Sequence, residues 1–521
     1  MIRLIGITTI GLVLCLESGL QAALIWIGGS VTDSNISTLA NWNPAQNPLN
    51  NDLIFSGNQR TSPLLTADLT ILSVTFDSNA DPFTLGGAAT FTIKSGGITN
   101  NDADDQTINT AFKLSAAQTW TANTGNLIVG GDVNKNGNGL TIDGAADTDL
   151  NGLISGGGTF KKDGAGTLTI GGNSANTFSG ASQLNEGSLM LNKTASLNAF
   201  AGAFTIGDGV GGASADILRL LASNQMIDTK SLTIENSGLL DINGFFETVG
   251  QGTSVTLRGG KIEVGDGGSL TIANTLNLST ANGTIETGTG TVILQGTING
   301  NTASSTHSIS GNVSLDGAER TFGIDGNVTL AIDAAISNGS MLKTGGGTLA
   351  LSGANTFAGG IDHNNGIITV GHDQALGTGT LDLGGSAEVQ AAGGARVVAN
   401  AVTLTGTGDH TIGGSQDLTF SGDVTLPGHR KIVVDNTGIT TISGIVKESA
   451  GTSRLTKRGL GTLVLAGANT HTAGIDLETG SLGVANNSAV GPGHPGLGRR
   501  HDTGLEQPSN INQSCPSGKR G

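Results

Sequence analysis

Among the strings whose residue types and spacing match a known ligand set, the nearest fit is Asp132-Val-Asn134-Lys-Asn136-Gly137 with Asp143 in the twelfth place. That is the oxygen pattern of a calcium loop. Such a loop is flanked by helices, prefers Glu in its last place and usually has an aliphatic residue where Gly139 stands, and none of these is present. A turn leading into the strand Leu140-Thr-Ile accounts for the same residues, so no metal site is expected. Gly207-Asp-Gly209-Val-Gly-Gly212, after the β-like run Ala203 to Ile206, satisfies the dinucleotide pattern GxGxxG. A chain with 86 glycines meets that pattern by chance. A working fingerprint opens a helix inside a βαβ unit, which this region does not offer, and no cofactor is expected. The eight histidines are scattered, with no HExxH, no paired cysteines and no GxSxG elbow, so zinc chemistry and Cys or Ser nucleophiles are not indicated.

Two clusters of charge remain. Asp102, Asp104 and Asp105 share one turn with only Phe112 and Lys113 close by, too little for a sugar platform with a basic partner, and they read as a solvated loop. Lys162, Lys343 and Lys457 recur at equivalent places. A recurring anion site is one reading of them; the simpler one lines them along an exposed edge, where they discourage edge pairing and keep the protein soluble. No catalytic, cofactor-binding or metal residue is assigned, and the chain is expected not to be an enzyme.

The elements around these residues are short strands. The 521 residues include 86 Gly, only 9 Pro and no Tyr, with 3% aromatic and 13% charged residues, which is unlike an ordinary globular domain. The 36% of apolar residues must build a core from aliphatic side chains and Thr methyls rather than rings. From about residue 60 to 490, runs such as Thr167 to Ile170, Ser254 to Leu257 and Thr291 to Leu294 alternate with Gly, Asn and Asp turns. Helical periodicity is nearly absent, its best candidate being the brief Ala215 to Leu221. No Pro stands between Pro82 and Pro427, as a long ladder of donating strands requires. With 41 acidic and 25 basic residues the net charge is −16, which argues against nucleic-acid partners.

Internal repetition decides the fold. Lys162 to Ile170 (KDGAGTLTI), Lys343 to Leu351 (KTGGGTLAL) and Lys457 to Leu465 (KRGLGTLVL) align, each with Lys, two glycines two apart and Thr-Leu. Each runs on to Asn176, Asn355 or Asn469, then Phe178, Phe357 or His471, then a glycine nine residues later at Gly187, Gly366 or Gly480. A unit this small cannot bury its own apolar face, so copies must stack around a shared core. Rungs of ~20 to 25 residues spaced ~4.8 Å apart would form a rod of the order of 90 Å.

The strings GAGTLTI, NTFSG and NEGSLML, with GGGTLALSGANTFAGG, NNGIITV, GLGTLVLAGANTHTAG and ETGSLGV, resemble the autotransporter-associated β-strand repeat, or passenger-associated transport repeat, family. Ile217 to Ile227 with Asp241 to Gly250, and the opening Trp26 to Pro44 with its Asn41-Trp42-Asn43, resemble other parts of the same proteins; within them Ile217-Leu-Arg-Leu-Leu matches a strand. The resemblance covers roughly residues 24 to 491. It implies an all-β, right-handed parallel β-helix, exported to or across an outer membrane, whose repeats assist passenger transport.

At the N-terminus, Arg3, the apolar run Leu4 to Leu16 and the small residues near Ala22 have the layout of a secretory signal peptide. Leu14 before Cys15 does not fit lipoprotein processing, and Cys515 is then the sole mature cysteine, so no internal disulfide is expected. After Val490 the repeat text breaks off into PGHPGLGRRHDTGLEQPSNINQSCPSGKRG, which reads as a truncated or frameshifted frame or as a disordered tail. The expected organisation is residues 1–22 signal peptide, 23–60 an N-terminal cap region with Trp motifs, 61–491 β-helical repeats and 492–521 an atypical tail. The expected role is an exported, non-enzymatic passenger, structural or transport-assisting, secreted or at the outer cell surface, and periplasmic if truncated. A surface adhesin is the alternative and a polysaccharide-active β-helix enzyme a weaker one. Expected partners are outer-membrane export machinery or surface glycans and proteins.

Overall fold

The alternation of apolar and small polar residues is realised as a stack of parallel coils. The computed structural model describes residues 22–280, 282–301 and 304–492. The expected signal peptide with Cys15 and the expected tail with Cys515 lie, but for Ala22 and Pro492, outside the described residues. The chain forms a β-solenoid of about 20 turns, which at ~4.8 Å per turn is a rod on the scale of 90 Å. The helical element among the described residues is one 3-10 turn, Leu39–Asn41. Ala215 to Leu221, the segment with most helical character in its sequence, contains the strand Asp216–Leu220.

A typical coil carries three short strands, and each pairs with the equivalent strand of the next coil. Leu232–Glu235 pairs with Ser254–Arg258, Gly238–Asp241 with Lys261–Glu263, and Phe246–Val249 with Ser269–Ile272, all parallel. Among the named strands the one antiparallel pairing is at the N-terminal end, between Leu24–Trp26 and Trp42–Asn43. There the two indoles meet edge to face at 5.1 Å and both contact Phe55, at 5.8 and 5.6 Å. Their N–H groups donate to the carbonyls of Gln59 and Ile36, so the rings close the first coil with no unpaired polar atom.

Inward positions stack on one another along the axis. One column runs from Leu168 through Leu189, Leu218, Leu240 and Ile262 to Ile285 and onward to Val370, all in register. Each of these aliphatic side chains is at most 1% exposed, and each such burial contributes about 1.5–3 kcal/mol. Corners are tight: a Cβ on Gly180 would lie 1.6 Å from the carbonyl oxygen of Gly158 on the preceding coil. The ladder is irregular where Ile361–Val370 meets Leu381–Ala391, with a register shift between His363 and Asn365.

Candidate functional site

The recurring lysines are not on an edge. Lys162, Lys343 and Lys457 are 2%, 0% and 0% exposed, and this overturns the expectation that they guard the surface. Each stem lies in the core and each ammonium ends at a glycine corner, surrounded by main-chain carbonyls. Lys343 Nζ donates to the carbonyls of Thr344 and Gly345 on its own coil, at 2.8 and 2.7 Å, and of Asn365 on the next, at 3.1 Å. Lys457 repeats this with Arg458, Gly459 and Thr479, at 2.6, 2.8 and 3.2 Å. Lys162 Nζ donates to Gly164 and to Glu186. The positive φ of Gly345 and Gly459, +75° and +77°, is a conformation L side chains seldom adopt, and it accompanies the inward turn of the carbonyl. Burial pushes each ammonium down to about 8, so near neutral pH it keeps its three hydrogens, one for each carbonyl of a full cage. The arrangement ties two coils together and leaves no room for an external anion.

A second device recurs with it. Asn355 is 2% exposed; its Oδ1 accepts from the Ile336 N–H at 2.8 Å and its Nδ2 donates to the Ala375 carbonyl at 2.6 Å. Asn176 joins Ile154 to Ala199, and Asn469 joins Val446 to Ala489, in the same way. One amide thus spans from the preceding coil to the following one. The residue two places on, Phe178, Phe357 or His471, is buried in every copy.

The remaining strings singled out above are also absorbed by the fold. In the calcium-like string, Asp132 accepts the Leu153 N–H at 2.8 Å, Asn134 accepts the Asn136 N–H at 2.8 Å, and Asp143 accepts the Gly144 N–H at 2.7 Å. Between them the buried Lys135 places its ammonium 2.7 Å from the Gly158 carbonyl and 4.7 Å from the centre of the Phe178 ring, a charge that opposes a metal ion. In Gly207 to Gly212, the N–H groups of Asp208 and Gly209 are spent on Ser237 Oγ, and a strand follows rather than a helix. Asp104 and Asp105 are exposed, whereas Asp102 is buried and accepts the Asp104 N–H at 2.8 Å. Phe112 belongs to the core. No group of three His, Cys, Asp or Glu among the described residues is placed to hold a metal.

Among the described residues, a serine hydroxyl meets an imidazole where Ser305 lies beside His307, Oγ to Nε2 3.1 Å. The pair's polarity is wrong for catalysis. The Gly283 N–H donates to His307 Nδ1 at 3.0 Å, so Nε2 carries the hydrogen and cannot accept the serine proton. His363 is fully buried, its Nε2 on the Glu388 carbonyl at 2.9 Å; burial, aided by the nearby Lys343 ammonium, pushes it down to about 4. Glu247 accepts the N–H groups of Gln225, Met226 and Thr248, yet burial outweighs them and raises its carboxyl to about 7. These are interior groups, closed off from substrate.

The family model of the passenger-associated-transport-repeat matches residues 160–191, 341–370 and 455–484. The chain carries passenger-associated transport repeats. Each matched segment opens two residues before its caged lysine and includes the Asn tie, so the residues that fasten coil to coil lie within the matched segments. A relative found by sequence is the adhesin autotransporter BmaC of Brucella suis biovar 1 (strain 1330), 24% identical over 423 residues, which are 66% of this chain and 12% of the relative. The chain therefore spans a small part of the length of the curated relative it matches. No solved structure matches it. Repeats and fold together make the chain a passenger-type β-solenoid.

Proposed function

We propose that this chain is an exported, non-enzymatic passenger rod whose repeats promote transport by folding coil upon coil. The observation that carries this reading is the paired device of Lys cage and Asn tie in all three repeats. A coil that has just emerged finds two kinds of polar partner on the coil already folded, and once both are made, retreat requires breaking buried hydrogen bonds. Export machinery of the outer membrane is the partner this reading requires, and the cell surface or the medium is the destination.

Pulse–chase export of an Asn355→Leu, Asn469→Leu double variant tests it. The reading expects surface appearance slowed several-fold relative to the parent, with a protease-sensitive pool behind it; export at the parental rate would contradict the role of the ties. A second reading, an adhesin, is favoured by the match to an adhesin autotransporter, and it adds a binding surface to the same rod.

A further inference from the structure

We infer that the outer face of the coils between Gly346 and Thr411 is a binding groove for a neutral oligosaccharide lying along the rod axis. The inference goes beyond the export reading, which stands whether or not the groove is used. A groove of about 470 Å³ opens here, floored by Gly346, Gly366 and Gly385. It sits over the register shift between His363 and Asn365, where the ladder departs from regular stacking, and the floor is low because three successive coils present glycine to solvent. Its size lies in the range of small-ligand sites, ~300–1,000 Å³.

The groups along it suit hydroxyls. Glu388 Oε1 is held by Gln390 Nε2 at 2.6 Å, which fixes the carboxylate and leaves Oε2 to accept. Asp409, exposed at the far end, is steadied by Arg458 at 3.6 Å. Asn365 spends its Oδ1 on the Gly366 N–H at 2.8 Å, which turns the Nδ2 donor outward. Ser386 and Thr411 each add a hydroxyl that gives or accepts, and Ile367 supplies an apolar wall. Ile367 pairs with Glu388, and Glu388 with Thr411, across consecutive coils, so the groups repeat at the ~4.8 Å spacing of strands and favour an extended chain of sugar units.

Other ligands fit less well. A peptide adding itself as a strand needs a free edge, and these coils are paired on both sides. A helix needs an apolar trough, which Ile367 alone does not provide. Two carboxylates and a net charge of −16 disfavour sulfated or sialylated chains.

The test is an array of neutral, sialylated and sulfated oligosaccharides probed with the purified chain, each hit followed by titration calorimetry. Gly346→Leu blocks the groove without disturbing the coil, since a Cβ there meets nothing within 4 Å; Glu388→Gln with Asp409→Asn removes both negative charges and turns one acceptor oxygen of each carboxylate into an NH2 donor. Retention of neutral oligosaccharides, weakened at least ten-fold in both variants and unchanged in an Asp149→Asn control, is the expected result. No neutral hit, equal binding by the variants, or retention of charged glycans alone overturns the assignment. So does tight binding of calcium alone or of an oligolysine peptide at the same groove. None of these failures touches export, which is read separately in cells.

Discussion

The caged lysines make a specific demand. Replacing Lys343 by Met keeps most of the apolar stem and removes the ammonium, leaving the carbonyls of Thr344, Gly345 and Asn365 without their donor. An unsatisfied buried polar group costs about 1–3 kcal/mol, so Lys343→Met should lower the unfolding free energy by about 2 kcal/mol or more. Lys161→Met, on the outward side of its strand, should change it little. Urea titration of both variants checks this; equal stabilities would return the lysine to a surface role. His363 gives a pH dependence whose sign is fixed. Its pKa is near 4 when folded and near its ordinary ~6.5 when unfolded, so the unfolded chain binds more protons between these values and stability falls as pH drops from 6.5 toward 4. His363→Leu should flatten that part of a thermal-melting series. Glu247 acts oppositely: its raised pKa lets the folded state hold a proton that the unfolded chain releases, so its contribution is fullest below pH 4.5 and is lost as pH rises to about 7.

At the scale of the element, strands and repeats were legible because period-two alternation and the three aligned copies are written in the chain itself. The burial of the lysines was not read, because lysine is mostly a surface residue. The signal was nonetheless present. Phe160, Met341 and Leu455 point inward, and in a strand the residue two places on shares that face, which puts Lys162, Lys343 and Lys457 inside. Lys135 and Lys193, likewise buried with ammonium groups on carbonyls, lie outside the repeat alignment, yet each also stands two places after an inward residue, Val133 or Leu191. The groove over Gly346 to Thr411 depends on a register shift that local sequence does not specify. Asn355 yields a prediction at this scale. Because each coil contacts chiefly its neighbours, Asn355→Leu should speed amide exchange around residues 336–375 and leave the coils near Leu168 to Leu191 protected. Uniform acceleration along the chain would instead mean that the coils unfold as one unit.

At the scale of the whole molecule, the rod is a continuous apolar core, aliphatic columns interrupted by aromatic clusters such as Phe160, Phe178 and Phe200, closed at one end by Trp26, Trp42 and Phe55. Large-to-small changes of buried aromatics cost about 3–5 kcal/mol, so Trp42→Ala should loosen the first coils and raise self-association through the exposed strand edge, visible in light scattering. The measurement that bears most directly on the passenger reading is fractionation of the native host with an antibody against the repeat region, sampling medium, outer membrane and periplasm, with circular dichroism of the recovered chain. Folded β-protein at the surface or in the medium is the predicted result. Chain found folded in the cytoplasm, or only as degraded periplasmic material, would contradict it.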